Sequence, residues 1–196
     1  MFIITVLSAG ANAGPPVILI VGDSLSAGHR IAIEQSWPAL LVKKLQAEHY
    51  PYSVANISVS GETTQGGLAR LAPALKQHRP AIVIVELGAN DGLRGLALEQ
   101  MRDNLRSMVK QSQDIHARVL LVGMRLPPNY GQDYEHKFEQ VYAELARQQK
   151  IPLVPFLFEG FAERRDAFID GLHPTAATQP LLLDNVWRGL QPLLRK

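Results

Sequence analysis

Five short runs are rich in β-branched residues and apolar at consecutive rather than alternating positions: 17–21, 54–59, 81–87, 119–122 and 153–156. A strand that is apolar on both faces must be covered on both faces, as in a parallel sheet held between two helical layers. The intervening segments have helical period. Trp37, Leu40, Leu41 and Leu45 mark one apolar face, and Leu68, Leu71, Ala72 and Leu75 a second. Leu98, Met101, Leu105, Met108 and Val109 mark a third, and Phe138, Val141, Tyr142 and Leu145 a fourth. Leu183, Val186, Trp187, Leu190 and Leu194 close the chain. Ser36 is the expected cap of the first of these helices, with Pro38 in its first turn, and Thr175 the expected cap of the last. Regular alternation with right-handed crossovers predicts one doubly wound, three-layer α/β/α domain around a five-stranded parallel sheet.

Composition narrows the function. A chain of 196 residues is long enough to bury a sizeable core in a single domain without a staple. It has no cysteine, which excludes a disulfide framework, a thiolate metal site and a cysteine nucleophile. Net charge is +2, and no Lys/Arg-rich run appears, so no nucleic-acid partner is expected. The first 22 residues are uncharged, but Gly14-Pro15-Pro16 interrupts them, so neither a transmembrane helix nor stable membrane insertion is expected. Ala11-Asn12-Ala13 has the form of a signal-peptidase site, although the basic start of a signal peptide is missing. Residues 1–13 are read as a signal-peptide remnant or tail and 14–196 as the folded domain. The expected location is periplasmic or secreted, and cytoplasmic if the leader does not function.

In an open parallel sheet, ligands bind beyond the carboxyl ends of the strands. The segments that follow the strands are Gly22-Asp23-Ser24-Leu25, Ser60-Gly61-Glu62-Thr63-Thr64, Gly88-Ala89-Asn90-Asp91 and, beyond a loop, Asp170-Gly171-Leu172-His173-Pro174. A serine hydroxyl needs a base to become a nucleophile. Ser24 has a candidate base in His173, and Asp170, three residues earlier, can fold a carboxylate onto the imidazole. Gly61 can bring a backbone N–H close to a developing oxyanion, and Asn90 offers a side-chain amide. With the Ser24 N–H these form a three-donor oxyanion hole. Each piece alone reads as an ordinary turn, cap or loop ion pair. Their combination, in order and at one rim, points to a serine hydrolase that needs no metal or organic cofactor. Asp23 is read as a hydrogen-bonding support for the turn, neither acid nor base.

With these blocks in view, the sequence resembles the GDSL, or SGNH, hydrolases, from residue 17 to residue 194. That family's serine, glycine, asparagine and histidine fall on Ser24, Gly61, Asn90 and His173, with Asp170 completing the triad. Gly61-Glu62-Thr63-Thr64, the run from Gly88 to Gly95 and Leu126-Pro127-Pro128-Asn129-Tyr130-Gly131 are similar to the bacterial periplasmic thioesterase/arylesterase/lysophospholipase group. The resemblance implies a flavodoxin-like sheet of order 2-1-3-4-5 and an exposed site that accepts aryl esters, acyl-CoA-type thioesters and lysophospholipids. It also implies that Leu25, Leu126, Pro127, Pro128 and Tyr130 contact the substrate.

The rival readings lack their residues. An α/β-hydrolase elbow needs G-x-S-x-G, and Ser26 stands where the second glycine would. A phosphoacceptor receiver, representing non-catalytic flavodoxin-like modules, needs paired acids after the first strand, where Asp23 stands alone. Neither nucleotide-binding glycine motif is present. A carbohydrate acetylesterase of the same fold remains the alternative within the family. His29, His49, His78, His116 and His136 are scattered and read as surface or packing residues. Trp37 and Trp187 read as core. Lys43, Lys44, Arg102, Arg106 and Lys110 read as solvated helix faces.

Overall fold

The computed structural model describes residues 14–196. The proposed signal segment lies outside them. The apolar runs become the strands β1 (Val17–Gly22), β2 (Ser53–Asn56), β3 (Ile82–Glu86), β4 (Arg118–Val122) and β5 (Leu153–Val154). All pair in parallel, in the order β2-β1-β3-β4-β5. The register sets Gly22, the last residue of β1, beside Glu86, the last residue of β3.

The helices are α1 (Ser24–Ala27), α2 (Trp37–Ala47), α3 (Thr64–His78), α4 (Ala89–Leu93), α5 (Leu98–Asp114), α6 (Gln132–Gln149) and α7 (Gln179–Leu190). α2 packs on α7 over one face of the sheet, and α3, α5 and α6 pack side by side over the other. The β1, β3 and β4 side chains between these layers are almost all fully buried, and Trp37 and Trp187 lie in the core.

Two strands are shorter than their apolar runs. The regular part of β2 ends at Asn56, whose side-chain oxygen accepts the Ser58 N–H at 3.1 Å while its Nδ2 donates to the Ser26 carbonyl at 2.8 Å, and beyond it the Ile57 and Val59 N–H groups still donate to the Ile20 and Gly22 carbonyls of β1. The run at 153–156 stops at Val154, because the Gly123 carbonyl that would continue the ladder accepts the Leu157 N–H instead, at 3.0 Å. Ser36 stands at the start of α2 but does not cap it. Its hydroxyl donates to the Ile33 carbonyl, and the Trp37 N–H is accepted instead by Gln179 Oε1 from the start of α7. Thr175 likewise precedes a 3-10 turn (Ala176–Thr178) rather than α7, and its hydroxyl bonds Thr178.

The end of β1 has no spare volume. A Cβ on Gly22 would stand 2.8 Å from Glu86 Oε2 and 2.8 Å from both Cβ and Oγ of Ser26. Overpacking of this kind typically costs about 1–3 kcal/mol. Gly22→Ala is therefore expected to lower the melting temperature, as a thermal melt will show.

Candidate active site

Asp23 caps α1, its Oδ1 accepting the Leu25 N–H at 3.0 Å, so the helix begins on Ser24 directly after β1. The chain turns too sharply there for the Ser24 N–H to enter the sheet ladder. Among the described residues no acceptor takes it, nor the Gly61 N–H. Gly61 sits at φ +78°, a conformation that favours glycine, and its carbonyl accepts from Arg94 Nη2 at 2.8 Å. α4 carries Asn90, whose Nδ2 donates to Asp23 Oδ2 at 3.0 Å. The second hydrogen of that amide remains for another acceptor.

The loop after β5 brings Asp170 and His173 to the same rim. His173 Nε2 lies 3.0 Å from Ser24 Oγ, and Nδ1 lies 2.9 Å from Asp170 Oδ2 and 3.1 Å from Oδ1. A nitrogen facing a carboxylate carries the proton, which leaves Nε2 free to accept from the serine. Asp170 Oδ1 also accepts the backbone N–H groups of Leu172 and His173. Bonds from the His173 backbone and ring, the largest influences, hold the Asp170 carboxyl well below the usual carboxylate range.

Two residues that the sequence did not single out hold this loop from the opposite side. Arg30 Nη1 reaches Asp170 Oδ2 at 3.1 Å, and the His29 ring lies 4.6 Å, centroid to centroid, from that of His173. His29 is therefore a packing residue, set against the His173 ring. Arg30 adopts φ +61°, a left-handed conformation uncommon for a residue other than glycine.

A cleft of about 410 Å³ opens beside Ser24, His173 and Asn90. Leu25, Leu126, Pro127 and Pro128 line it, together with Met124, Phe156, Phe158 and Phe168. Tyr130 does not. Its hydroxyl donates to the Leu93 carbonyl at 2.9 Å and its ring stacks on Tyr134, so it braces the loop from behind. Phe158 and Phe168 gave no periodic signal because they come from the irregular segment after β5, whereas Phe156 ends the apolar run at 153–156. Arg125 stands at the rim over the Phe156 ring and pairs with Glu139.

Serine, histidine and aspartate thus converge at the mouth of an apolar cleft on a 2-1-3-4-5 sheet, and the family comparison agrees. The family model described as "GDSL-like Lipase/Acylhydrolase family" matches residues 20–180. The chain belongs to this family. Among its acylhydrolase relatives, the esterase TesA of Pseudomonas aeruginosa is 49% identical over 184 residues, covering 93% of this chain and 92% of TesA. The thioesterase 1/protease 1/lysophospholipase L1 of Escherichia coli K12 is 43% identical over 194 residues, covering 98% of this chain and 92% of its own. A crystal structure of the psychrotrophic esterase EstA from a Pseudoalteromonas species, inhibited by monoethylphosphonate, superposes with a TM-score of 0.85 at 38% identity, covering 90% of this chain and 97% of that one.

Within this GDSL-like site lie two buried acids. Burial, opposed by the bonds from Leu25 and Asn90, pushes the Asp23 carboxyl up from the usual 3.8 to about 6. Burial and the neighbouring Asp23 charge push Glu86 well above its usual value. Glu86 Oε2 accepts from Ser26 Oγ at 2.6 Å and from the Asp23 N–H at 3.4 Å, and Oε1 has no partner among the described residues. Both effects favour the neutral form of Glu86. Glu86→Gln has the same shape and the neutral state that burial favours, so at pH 7 it is expected to leave the melting temperature within about 2 °C of wild type. A drop of about 10 °C or more in the same melt would mean that the native structure depends on an ionised Glu86.

Proposed function

We propose that the protein is a serine hydrolase that cleaves carboxylic esters and thioesters through an acyl-enzyme on Ser24. The observation that carries the reading is the continuous chain Ser24 Oγ, His173 Nε2, His173 Nδ1 and Asp170, at 3.0 and 2.9 Å, beside an apolar cleft. His173 takes the Ser24 proton as Oγ attacks the acyl carbon, and Asp170 holds the imidazolium that forms. The oxyanion is met by the Ser24 N–H, the Gly61 N–H and the free N–H of Asn90. The tetrahedral centre collapses as His173 protonates the departing alcohol or thiol. Water, deprotonated by the same ring, then attacks the acyl carbon and frees the acid.

The substrates fit a small molecule with an apolar acyl chain lying along Leu25, Leu126 and the phenylalanines. Aryl esters, acyl-CoA-type thioesters and lysophospholipids share this acyl half and differ in the leaving group. The names of the relatives, esterase and thioesterase 1/protease 1/lysophospholipase L1, support that breadth. No helix of the described residues is long and apolar enough to cross a membrane. The Ala11-Asn12-Ala13 sequence supports export to the periplasm.

A fluorophosphonate probe tests the nucleophile. Intact mass is expected to show one adduct on wild type and none on Ser24→Ala, and an unlabelled, folded wild type would overturn the reading. A series of p-nitrophenyl esters tests the cleft. Burying a methylene contributes about 0.8 kcal/mol, so each carbon that enters should raise kcat/KM about fourfold. Activity that peaks at acetate would favour the carbohydrate acetylesterase instead.

A further inference from the structure

Asp23 and Glu86 lie directly beneath the nucleophile, buried at 1% and 0% exposure, and no acyl-transfer step uses them. Asp23 is fully committed. Oδ1 accepts from the Leu25 N–H and Oδ2 from Asn90 Nδ2, each at 3.0 Å. The two N–H bonds of a primary amide lie in one plane at a fixed angle. Fixing one of them on Asp23 fixes the direction of the other. Asn90 has no second side-chain bond among the described residues to do this.

We propose that Asp23 is a positioning residue for the oxyanion hole: its carboxylate aims the Asn90 amide at the developing oxyanion while capping the helix that carries Ser24. The proposal rests on the serine-hydrolase reading and adds a role to a residue that the chemical steps leave idle. Two acceptors are needed on one side chain, and only a carboxylate supplies both. An amide at this position has one oxygen, so it must turn an NH₂ towards either Asn90 or the Leu25 N–H. A charged acceptor also makes the stronger bond.

The groups around Asp23 keep it the anion of the cluster. Glu86 from β3 and Tyr142 from α6 are both pushed up by burial, which favours their neutral forms. Asp91 from α4 is engaged by the Thr64 N–H and hydroxyl. His173, from the catalytic loop, also faces Asp23 and becomes a cation only when it takes the Ser24 proton. Protonating Asp23, which burial places near pH 6, withdraws an acceptor and frees Asn90.

The test is a double-mutant cycle between Asp23→Asn and Asn90→Ala, with kcat and KM measured across pH. Asp23→Asn is expected to lower kcat about 10²-fold with KM nearly unchanged, as for loss of one oxyanion donor. In the Asn90→Ala background the same change should cost less than about threefold, because the residues act as a unit. Wild-type kcat should show a group titrating near pH 6 that both variants lack. At pH 8 Asp23→Asn sheds a buried charge and loses one of its two acceptor bonds, effects of similar size, so its melting temperature is expected within about 5 °C of wild type and Ser24 should still take the fluorophosphonate. A purely structural Asp23 would lower stability and leave that pH step in place. Wild-type kcat in Asp23→Asn, or a cycle in which the two losses multiply, overturns the proposal. Should Asp23→Asn fail to fold, the comparison of wild type with Asn90→Ala decides, and an acid-side profile identical in the two overturns it. A wild type that neither labels nor hydrolyses fails the serine-hydrolase reading instead.

Discussion

Everything at the rim depends on how β1 ends. The strand runs without spare volume into Gly22, against Glu86 of β3 and Ser26 of the next turn. The chain can leave the sheet there only as an abrupt turn into α1. That turn leaves the Ser24 N–H unclaimed by the ladder and sets the hydroxyl at the carboxyl edge of the sheet. Asn56 ties the Ser26 carbonyl to β2, and Glu86 accepts from the Ser26 hydroxyl, so the turn is fixed from two neighbouring strands. Ser24 thus stands on a turn held by hydrogen bonds from two neighbouring strands.

The rest of the site divides by stiffness. The oxyanion side is built on β-strand ends and helix starts and is braced by buried bonds, including Thr64 to Asp91 and Asn104 to Thr64. The base side is a loop at the surface, where Asp170 and His173 are 30% and 21% exposed. Its order comes from bonds within the loop and from the His29-Arg30 segment. The Arg30 ion pair is exposed and contributes little to global stability. Its value is directional, since it reaches the carboxylate that orients the base.

Burying Asp23 has a cost that the fold bears. Its native pKa lies above the unfolded value, so its contribution to stability is greatest below about pH 4 and is lost as pH rises through about 6. At neutral pH the ionised, buried carboxylate therefore lowers stability by an amount on the order of 2–3 kcal/mol. A neutral side chain would avoid that cost, but it could not serve the Leu25 and Asn90 donors together. Stability given up at a site that must be preorganised is a common pattern in enzymes.

Much of this was legible in the sequence. Doubly apolar strands and helical periods gave the layers, and the rim rule placed Ser24, Gly61, Asn90, Asp170 and His173 at one edge. The limits were equally physical. Periodicity did not register the Asn56 side chain holding both the Ser58 N–H and the Ser26 carbonyl, nor Gln179 in α7 accepting the Trp37 N–H at the start of α2. Glu86 looked like the polar end of a strand, and only the Gly22 register shows what it packs against. Tyr130 sits in the right loop but faces Leu93, and Phe158 and Phe168 of the cleft come from a segment with no period. His29 and Arg30 meet the catalytic loop across about 140 residues of chain, a pairing invisible to local pattern. The most direct test of the account is a crystal structure of the protein after reaction with a phosphonate ester. The account predicts phosphorus bonded to Ser24 Oγ and the phosphoryl oxygen within about 3.1 Å of the Ser24 N–H, the Gly61 N–H and Asn90 Nδ2, with Asn90 still bound to Asp23. A phosphoryl oxygen pointing to solvent, or an Asn90 amide turned away from it, would contradict it.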